Sequence, residues 1–387
     1  MSLFFLVFFL LYGGLHLYAF LKAKSAFAFG IHAGLPLALF MLVMVFAPVI
    51  IRLSERAGHD LFARLFSYTG YTWMGILFLF CSFSLLTDLY RSVISLAGLV
   101  LKADLSGLAL SNQYAFFLPL GVALSIAFYG YFEARDIRTE LVTIKTSKIP
   151  EDIGRLRIVQ ISDVHIGLIV RQERVSRILA EVKKADPDIF VSTGDLVDGQ
   201  INGLTGLSEM LREINPRYGK FAITGNHEYY AGLDQALAFT EKAGFRVLRG
   251  EGLTVGGMIN IAGVEDPAGK AFGLFRGRTE RVILERLPRE KFTLLLKHRP
   301  LIEKESLGLF DLQLSGHVHK GQIFPFSVVT WLYYPVASGG RELSGNAYLY
   351  VSRGSGTWGP PIRFLAPPEV TVIDLIHDEG TKSQEEH

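Results

Sequence analysis

The sequence predicts an all-α transmembrane domain of about four helices, followed by a soluble α/β domain built from two mixed sheets packed face to face with helices outside. Three observations predict it. The first 132 residues are almost wholly apolar, whereas the chain from Glu133 onward has the composition of a soluble domain. Strand, helix and strand alternate early in that second part, and short strands dominate later. Oxygen and imidazole side chains recur just after its apolar runs.

The chain has 387 residues, half of them hydrophobic, with 39 Lys+Arg against 37 Asp+Glu. Near-neutral charge gives no reason to expect a nucleic-acid partner. The single cysteine, Cys81, lies inside an apolar run, which excludes an intrachain disulfide and any CxxC site.

Residues 1–135 form the expected membrane domain. Apolar segments run over Leu3–Leu21, Ile31–Ile51, Tyr68–Thr87 and Tyr114–Phe132. Each approaches the ~20 residues that cross the hydrocarbon. The first lacks a preceding basic region and is followed by further spans, so it reads as a retained anchor rather than a signal peptide. Residues 89–112 mix apolar residues with Arg91, Lys102 and Asp104, suggesting an interfacial helix. With the amino terminus inside, Arg52, Arg56, Arg64, Arg135, Arg138, Lys145 and Lys148 face the cytoplasm, against Lys22, Lys24, Arg91 and Lys102 outside. That bias favours an integral, multi-pass protein of the cell or inner membrane with its soluble domain in the cytoplasm. His16, His32 and His59 lie in or beside the spans and read as neutral, tolerated histidines.

Residues 136–376 form the second domain, and 377–387 read as a disordered polar tail. Alternation marks a strand at Leu141–Ile144. Arg155–Ser162 is a strand delivering Asp163 and His165, and Arg171–Ala185 has helical spacing at Val175, Ile178, Leu179 and Val182. Asp188–Thr193 delivers Asp195. Leu204–Ile214 reads as a helix, and Lys220–Thr224 delivers a loop carrying Asn226, His227 and Glu228. Leu233–Ala243 is a helix ended by Gly244. Phe245–Leu248, Leu253–Val255 and Met258–Val264 are short strands, and Thr279–Leu287 is helical. Phe292–Leu296 delivers His298, and Leu312–Ser315 delivers Gly316-His317-Val318-His319, where the glycine is expected to let the backbone turn sharply. Tyr333–Ala337, Ala347–Val351 and Glu369–Leu375 complete the strands. Ligands would gather where the strands end.

Asp163, His165, Asp195, Asn226, His298, His317 and His319 together offer carboxylate, carboxamide and imidazole but no thiolate. That mixture suits borderline divalent ions such as Mn, Fe or Zn and argues against a structural zinc site. The set exceeds what one tetrahedral ion takes. With one bridging carboxylate, two divalent metal ions would each receive about four protein ligands and keep positions open for a water-derived nucleophile and a substrate oxygen.

The ordered series DxH, GD, GNHE, a separate His and GHxH resembles the calcineurin-like metallophosphoesterase superfamily, over residues 155 to about 375. Its membrane-attached branch is most similar, with GHxHxGQI running into an apolar stretch and a late YVSRG…PPE segment at Tyr350–Gly354 and Pro367–Glu369. The resemblance implies a four-layer α/β/β/α sandwich. It implies that Asp163, His165 and His319 hold a first metal with Asp195, which bridges to a second held by Asn226, His298 and His317. It further implies that His227 contacts the phosphate and assists the leaving group. The expected activity is that of a membrane-anchored phosphohydrolase cleaving a phosphodiester or pyrophosphate bond, in a lipid-linked substrate such as a UDP-diacylglucosamine-type pyrophosphate. Membrane lipids and that substrate are the expected partners. Rival readings are a broad phosphodiesterase acting on soluble nucleotides or phosphoproteins, and a non-catalytic membrane scaffold or sensor.

Other residues carry two readings. Asp198 orients a ligand histidine or caps a helix, and Glu228 orients His227 or lies on the surface. Arg341 and Arg353 bind substrate phosphate or form structural ion pairs. Lys320, where the family pattern has small residues, meets a substrate phosphate or solvent. The loop around Phe272, Leu274 and Phe275, flanked by Lys270, Arg276 and Arg278, and the aromatic run Ile323–Tyr334 either dip into an anionic membrane surface or pack as core.

Overall fold

The structure, a computed structural model, describes residues 2–199, 204–276 and 278–378. Of the expected tail, residues 379–387 lie outside the described residues. The chain divides into two compact units: Met1–Phe132 with Gly359–Ile362, and Glu133–Trp358 with Arg363 onward.

The first unit is helical: α1 (Ser2–Phe27), α2 (Ile31–Val45), α3 (Ala47–Arg56), α4 (Asp60–Leu101) and α5 (Tyr114–Glu133). α1, α4 and α5 are long and apolar enough to cross a membrane, and the bent pair α2–α3 makes up to four spans. Two expectations need correction. The stretch Ile31–Ile51 is not one straight helix but bends by 53° between α2 and α3, where Pro48 enters the first turn of α3. Proline there contributes no N–H to the preceding turn and starts a new helix. The expected interfacial segment after Thr87 is not separate either. With no proline to interrupt it, α4 continues for 42 residues to Leu101, roughly 63 Å at 1.5 Å per residue. His16 is a satisfied core histidine: its Nδ1 lies 2.8 Å from the Tyr12 carbonyl and Trp73 Nε1 donates to its Nε2 at 2.9 Å.

In the second unit, one sheet takes the order β1 (Arg138–Thr146), β12 (Glu369–His377), β2 (Arg155–Ile161), β3 (Ile189–Ser192), β4 (Lys220–Ala222) and β5 (Arg246–Val247). The other takes the order β10 (Gly339–Glu342), β11 (Tyr348–Val351), β9 (Leu312–Ser315), β8 (Phe292–Leu296), β7 (Ile259–Gly263) and β6 (Glu251–Val255). The remaining helices are α6 (Gln172–Ala185), α7 (Thr205–Arg212), α8 (Asn226–Ala231), α9 (Leu233–Lys242), α10 (Ala268–Ala271), α11 (Glu280–Leu284) and α12 (Phe326–Tyr333).

Period-two alternation sorts the strand residues into layers. Leu156 and Ile158 of β2 meet Leu294 and Leu296 of β8 between the sheets. Val159 and Ile161 face outward onto Val175, Ile178 and Val182 of α6, and Leu295 packs on Ile283 and Leu284 of α11. The result is the expected α/β/β/α layering. β2, β3 and β4 run parallel in one sheet, and β7, β8, β9 and β11 run parallel in the other.

Two local expectations are overturned. Tyr333–Ala337 is not a strand; the edge strand β10 begins at Gly339. The aromatic run Ile323–Tyr334 divides: Phe326–Tyr333 forms α12 with none of its residues buried, whereas Ile323 and Tyr334 at its ends are buried.

Candidate metal centre

Five parallel strands release the candidate ligands. Asp163 and His165 follow β2, Asp195 follows β3, Asn226 follows β4, His298 follows β8, and His317 and His319 follow β9. Asp163, His165, Asp195, His317 and His319 all adopt left-handed backbone, with φ between 50° and 72°. Each such non-glycine residue costs about 1 to 3 kcal/mol and persists only where its surroundings over-determine it. Here they do: Asp163 N–H donates to the Gly194 carbonyl at 3.0 Å and His165 N–H to the Asp195 carbonyl at 3.0 Å, tying the loops together. The role expected of Gly316 changes. The turn is made by His317 and His319, whereas Gly316 is required because a Cβ there would overlap Ser162 Oγ and Asp163 Oδ2.

Backbone amides hold both carboxylates: the His317 amide donates to both oxygens of Asp163, at 3.0 and 2.9 Å. Asp163 also accepts from Ser162 Oγ at 2.5 Å, and its Oδ1 lies 3.4 Å from His319 Nε2. Asp195 Oδ1 accepts from the His227 amide at 2.8 Å. Its Oδ2 lies 3.2 Å from His298 Nε2 and 3.9 Å from His165 Nε2. His165 Nε2 and His319 Nε2 are 3.1 Å apart, and His317 Nδ1 is 3.2 Å from His298 Nε2. Two groups therefore form, Asp163–His165–His319 and Asp195–His298–His317. His165 also groups with Asp195 and His227, so Asp195 stands between the two sides.

Three observations show that these groups suit metal ions. Asn226 Oδ1 and His165 Nδ1 are buried without a hydrogen-bond partner, and a buried orphan acceptor normally has a reason. His298 Nδ1 donates to the Thr193 carbonyl at 2.8 Å, which fixes the ring and turns Nε2, the atom a ligand would use, toward Asp195 Oδ2 at 3.2 Å. Charge tells the same story. Burial pushes His165 down to about 4 and His317 to about 3, and holds His319 well below its usual value with help from Arg363. All three are thus neutral, as ligands must be. Burial would also depress His298 and His227, but Asp195 outweighs it and raises them to about 10 and about 9. Burial alone would raise Asp195; the cationic His298 and His227 hold it well below the ordinary carboxylate range. The site therefore calls for positive charge beside Asp195.

His227 is not on a loop but in the first turn of α8. Its Nδ1 lies 2.6 Å from Asp198 Oδ1, so Asp198 orients this imidazole rather than a candidate ligand histidine; His165 Nδ1 is 3.9 Å away. Glu228 is neither surface nor the orienter of His227. It is buried and accepts from the amides of Asp195 at 3.0 Å, Leu196 at 2.7 Å and Gly225 at 2.7 Å, fixing the turn that presents Asp195. Arg353 takes its structural reading, pairing with Glu369 at 2.8 Å and with Glu140. Sequence reasoning missed Arg363. It is fully buried, donates to the carbonyls of Gly356, Arg353 and Ala366, and lies 3.1 Å from His319 Nδ1. A lone arginine 44 positions from its histidine carries no local signal.

A two-sheet sandwich that gathers histidine and aspartate in metal-binding groups at its strand ends defines a metallohydrolase class. Residues 156–321 match the calcineurin-like phosphoesterase model. An uncharacterized metallophosphoesterase of Aquifex aeolicus is 41% identical over 255 residues, covering 66% of this chain and 97% of the relative. One of Campylobacter jejuni is 32% identical, covering 86% of this chain and 89% of the relative. A transmembrane protein with metallophosphoesterase domain from Danio rerio is 31% identical, covering 67% of this chain and 62% of the relative. The chain belongs to the calcineurin-like metallophosphoesterase family, hydrolases of phosphoesters, and has relatives named as transmembrane proteins.

Proposed function

We propose that the protein is a membrane-anchored, dinuclear phosphohydrolase acting on a phosphodiester or pyrophosphate bond of a lipid-linked substrate. Asp163, His165 and His319 would hold one divalent ion and Asn226, His298 and His317 the other, with Asp195 shared. Mn, Fe and Zn all suit the donor set. Such an ion pair supplies positive charge to phosphoryl oxygens and acidifies water. The protein's own contribution is positioning and proton handling. Asp198 holds His227 by Nδ1 at 2.6 Å, leaving Nε2 to give its proton to the departing oxygen. Burial disfavours the charged ring, but the Asp195 and Asp198 carboxylates outweigh it and favour the proton. Glu228 and Arg363 keep the Asp195 turn and the His319 ring from relaxing.

The observation that carries the lipid reading is α12. It begins five residues after the His319–Gly321 turn, exposes Trp331 by 61%, Leu332 by 73% and Tyr333 by 74%, and its following residue, Tyr334, packs edge-on against His317 at 5.7 Å. Exposed apolar surface of this extent beside a polar site marks an interaction surface for hydrocarbon. The positive-inside bias supports a site on the cytoplasmic face as part of this reading. The reading is tested by comparing kcat/KM for a nucleoside diphosphate ester of dioctanoylglycerol with that for its deacylated analogue, using Mn-loaded full-length protein. The acylated substrate is expected to be preferred at least tenfold; equal values would leave a phosphohydrolase for soluble substrates.

A further inference from the structure

We propose that the cleft between the His317–Lys320 loop, α12 and β10 is a subsite for a second anionic group of the substrate, selected by Lys320 and Arg341. The inference rests on the phosphohydrolase reading above and adds a specificity site outside the candidate metal ligands.

The cleft has a volume of about 440 Å³ and is lined by Lys320, Ser327, Trp331, Ser338 and Arg341 among others, none of them acidic. That volume falls within the range of small-molecule sites. Neither Lys320 nor Arg341 makes an ion pair with a described carboxylate, whereas Arg353, Arg299 and Lys297 nearby in sequence all do. Two cations that line one cleft without a carboxylate partner leave it with positive charge available to an anion. An arginine fork and a lysine ammonium are the groups that bind phosphoryl oxygens, and serine hydroxyls complete such a site. Trp331 supplies an apolar wall.

Position ties the cleft to the reaction. Lys320 directly follows His319 and shares its left-handed backbone, at φ 51°. Gly321, at φ 78°, lies so close to the Ser327 backbone that any Cβ would collide with it. The metal-side loop and the first turn of α12 are thereby locked together. The cleft residue Lys320 therefore stands one position along the chain from His319, on a loop that cannot shift independently of α12. The chemistry recognised is two linked anionic groups, one at the metal groups and one in the cleft.

The test uses full-length, Mn-loaded protein and three substrates: bis(p-nitrophenyl) phosphate, which has one anionic group, the nucleoside diphosphate ester of dioctanoylglycerol, and its deacylated analogue. In Lys320→Asn/Arg341→Gln, with asparagine chosen because it tolerates left-handed backbone, the ratio of kcat/KM for either diphosphate over the monoanionic diester is expected to fall at least tenfold, mainly through KM. Lys320→Arg/Arg341→Lys should keep the ratio within threefold. Unchanged ratios, with wild-type metal content and melting temperature, would overturn the cleft inference alone. A loss confined to the acylated substrate would assign the cleft to hydrocarbon and also overturn it. Failure of wild-type protein to hydrolyse any of the three would remove the phosphohydrolase reading and this inference with it.

Discussion

The loop that carries His317 and His319 separates two surfaces of opposite character. On its inner side, carboxylates and imidazoles are buried, strained and locked by backbone amides. On its outer side, α12 leaves every one of its residues at least partly exposed, though its sequence is largely apolar. α6, in the same unit, follows the ordinary rule and buries Val175, Ile178, Leu179 and Val182. Polar groups are costly to bury and apolar groups are unfavourable to expose, so both sides of the loop depart from what folding alone would select. On the proposed reading, ions would neutralise and organise the inner side and a hydrocarbon partner would cover the outer side, which would make the strained residues and the exposed helix two halves of one functional surface.

The contrast breaks most completely at the shared carboxylate. Asp195→Asn removes the charge that both metal groups face, and kcat/KM should fall on the order of 10³-fold. Bound metal measured by elemental analysis should drop with it; full metal content would deny Asp195 its bridging position. His227→Ala should cost roughly 10²-fold while leaving metal content intact, separating proton handling from ion binding.

Stability sharpens the contrast between the two helices. Ile178→Ala on α6 should destabilise by about 2 to 5 kcal/mol, as large-to-small core changes do. Leu332→Ser on α12 should shift stability by less than about 0.5 kcal/mol yet lower the preference for acylated substrate severalfold. A large loss of stability at Leu332 in detergent-free denaturation would show that α12 packs as core.

The smallest expected effect is a pH dependence. In EDTA-treated protein, His227 and His298 are raised to about 9 and about 10 from an unfolded value near 6.5. Their stabilising contribution is fully present below pH 6.5 and is lost as pH rises through 9 to 10. The melting temperature of the metal-free protein should fall across that window. In the Mn-loaded protein the fall should be smaller, because at His298 an ion would take the place of the proton and bind better as pH rises, leaving only the contribution of His227.

Much of the architecture was legible because its signals are local. Ile158, Val159 and Ile161 announce a strand, Val175 to Val182 announce a helix, and the candidate ligands stand directly after the strands that position them. What stayed hidden depends on the partner rather than on the sequence around it. Glu228 serves amides more than 30 positions away, and Arg363 reaches His319 from beyond two strands. The role of Gly316 depends on the space beside Ser162, which no spacing reveals. The run Phe326–Tyr333 has too few polar residues to show a period, so helix, loop and core could not be told apart. The bend after Val45 lay within an apolar stretch holding two prolines, and the sequence does not show that Pro36 stays inside α2 while Pro48 opens α3.

Anomalous diffraction from crystals of the Mn-loaded protein tests the central claim most directly. Two ions are expected, ~3.5 to 4 Å apart, with His319 on one, His317 on the other and Asp195 touching both. A single ion bound by both His317 and His319 would contradict it.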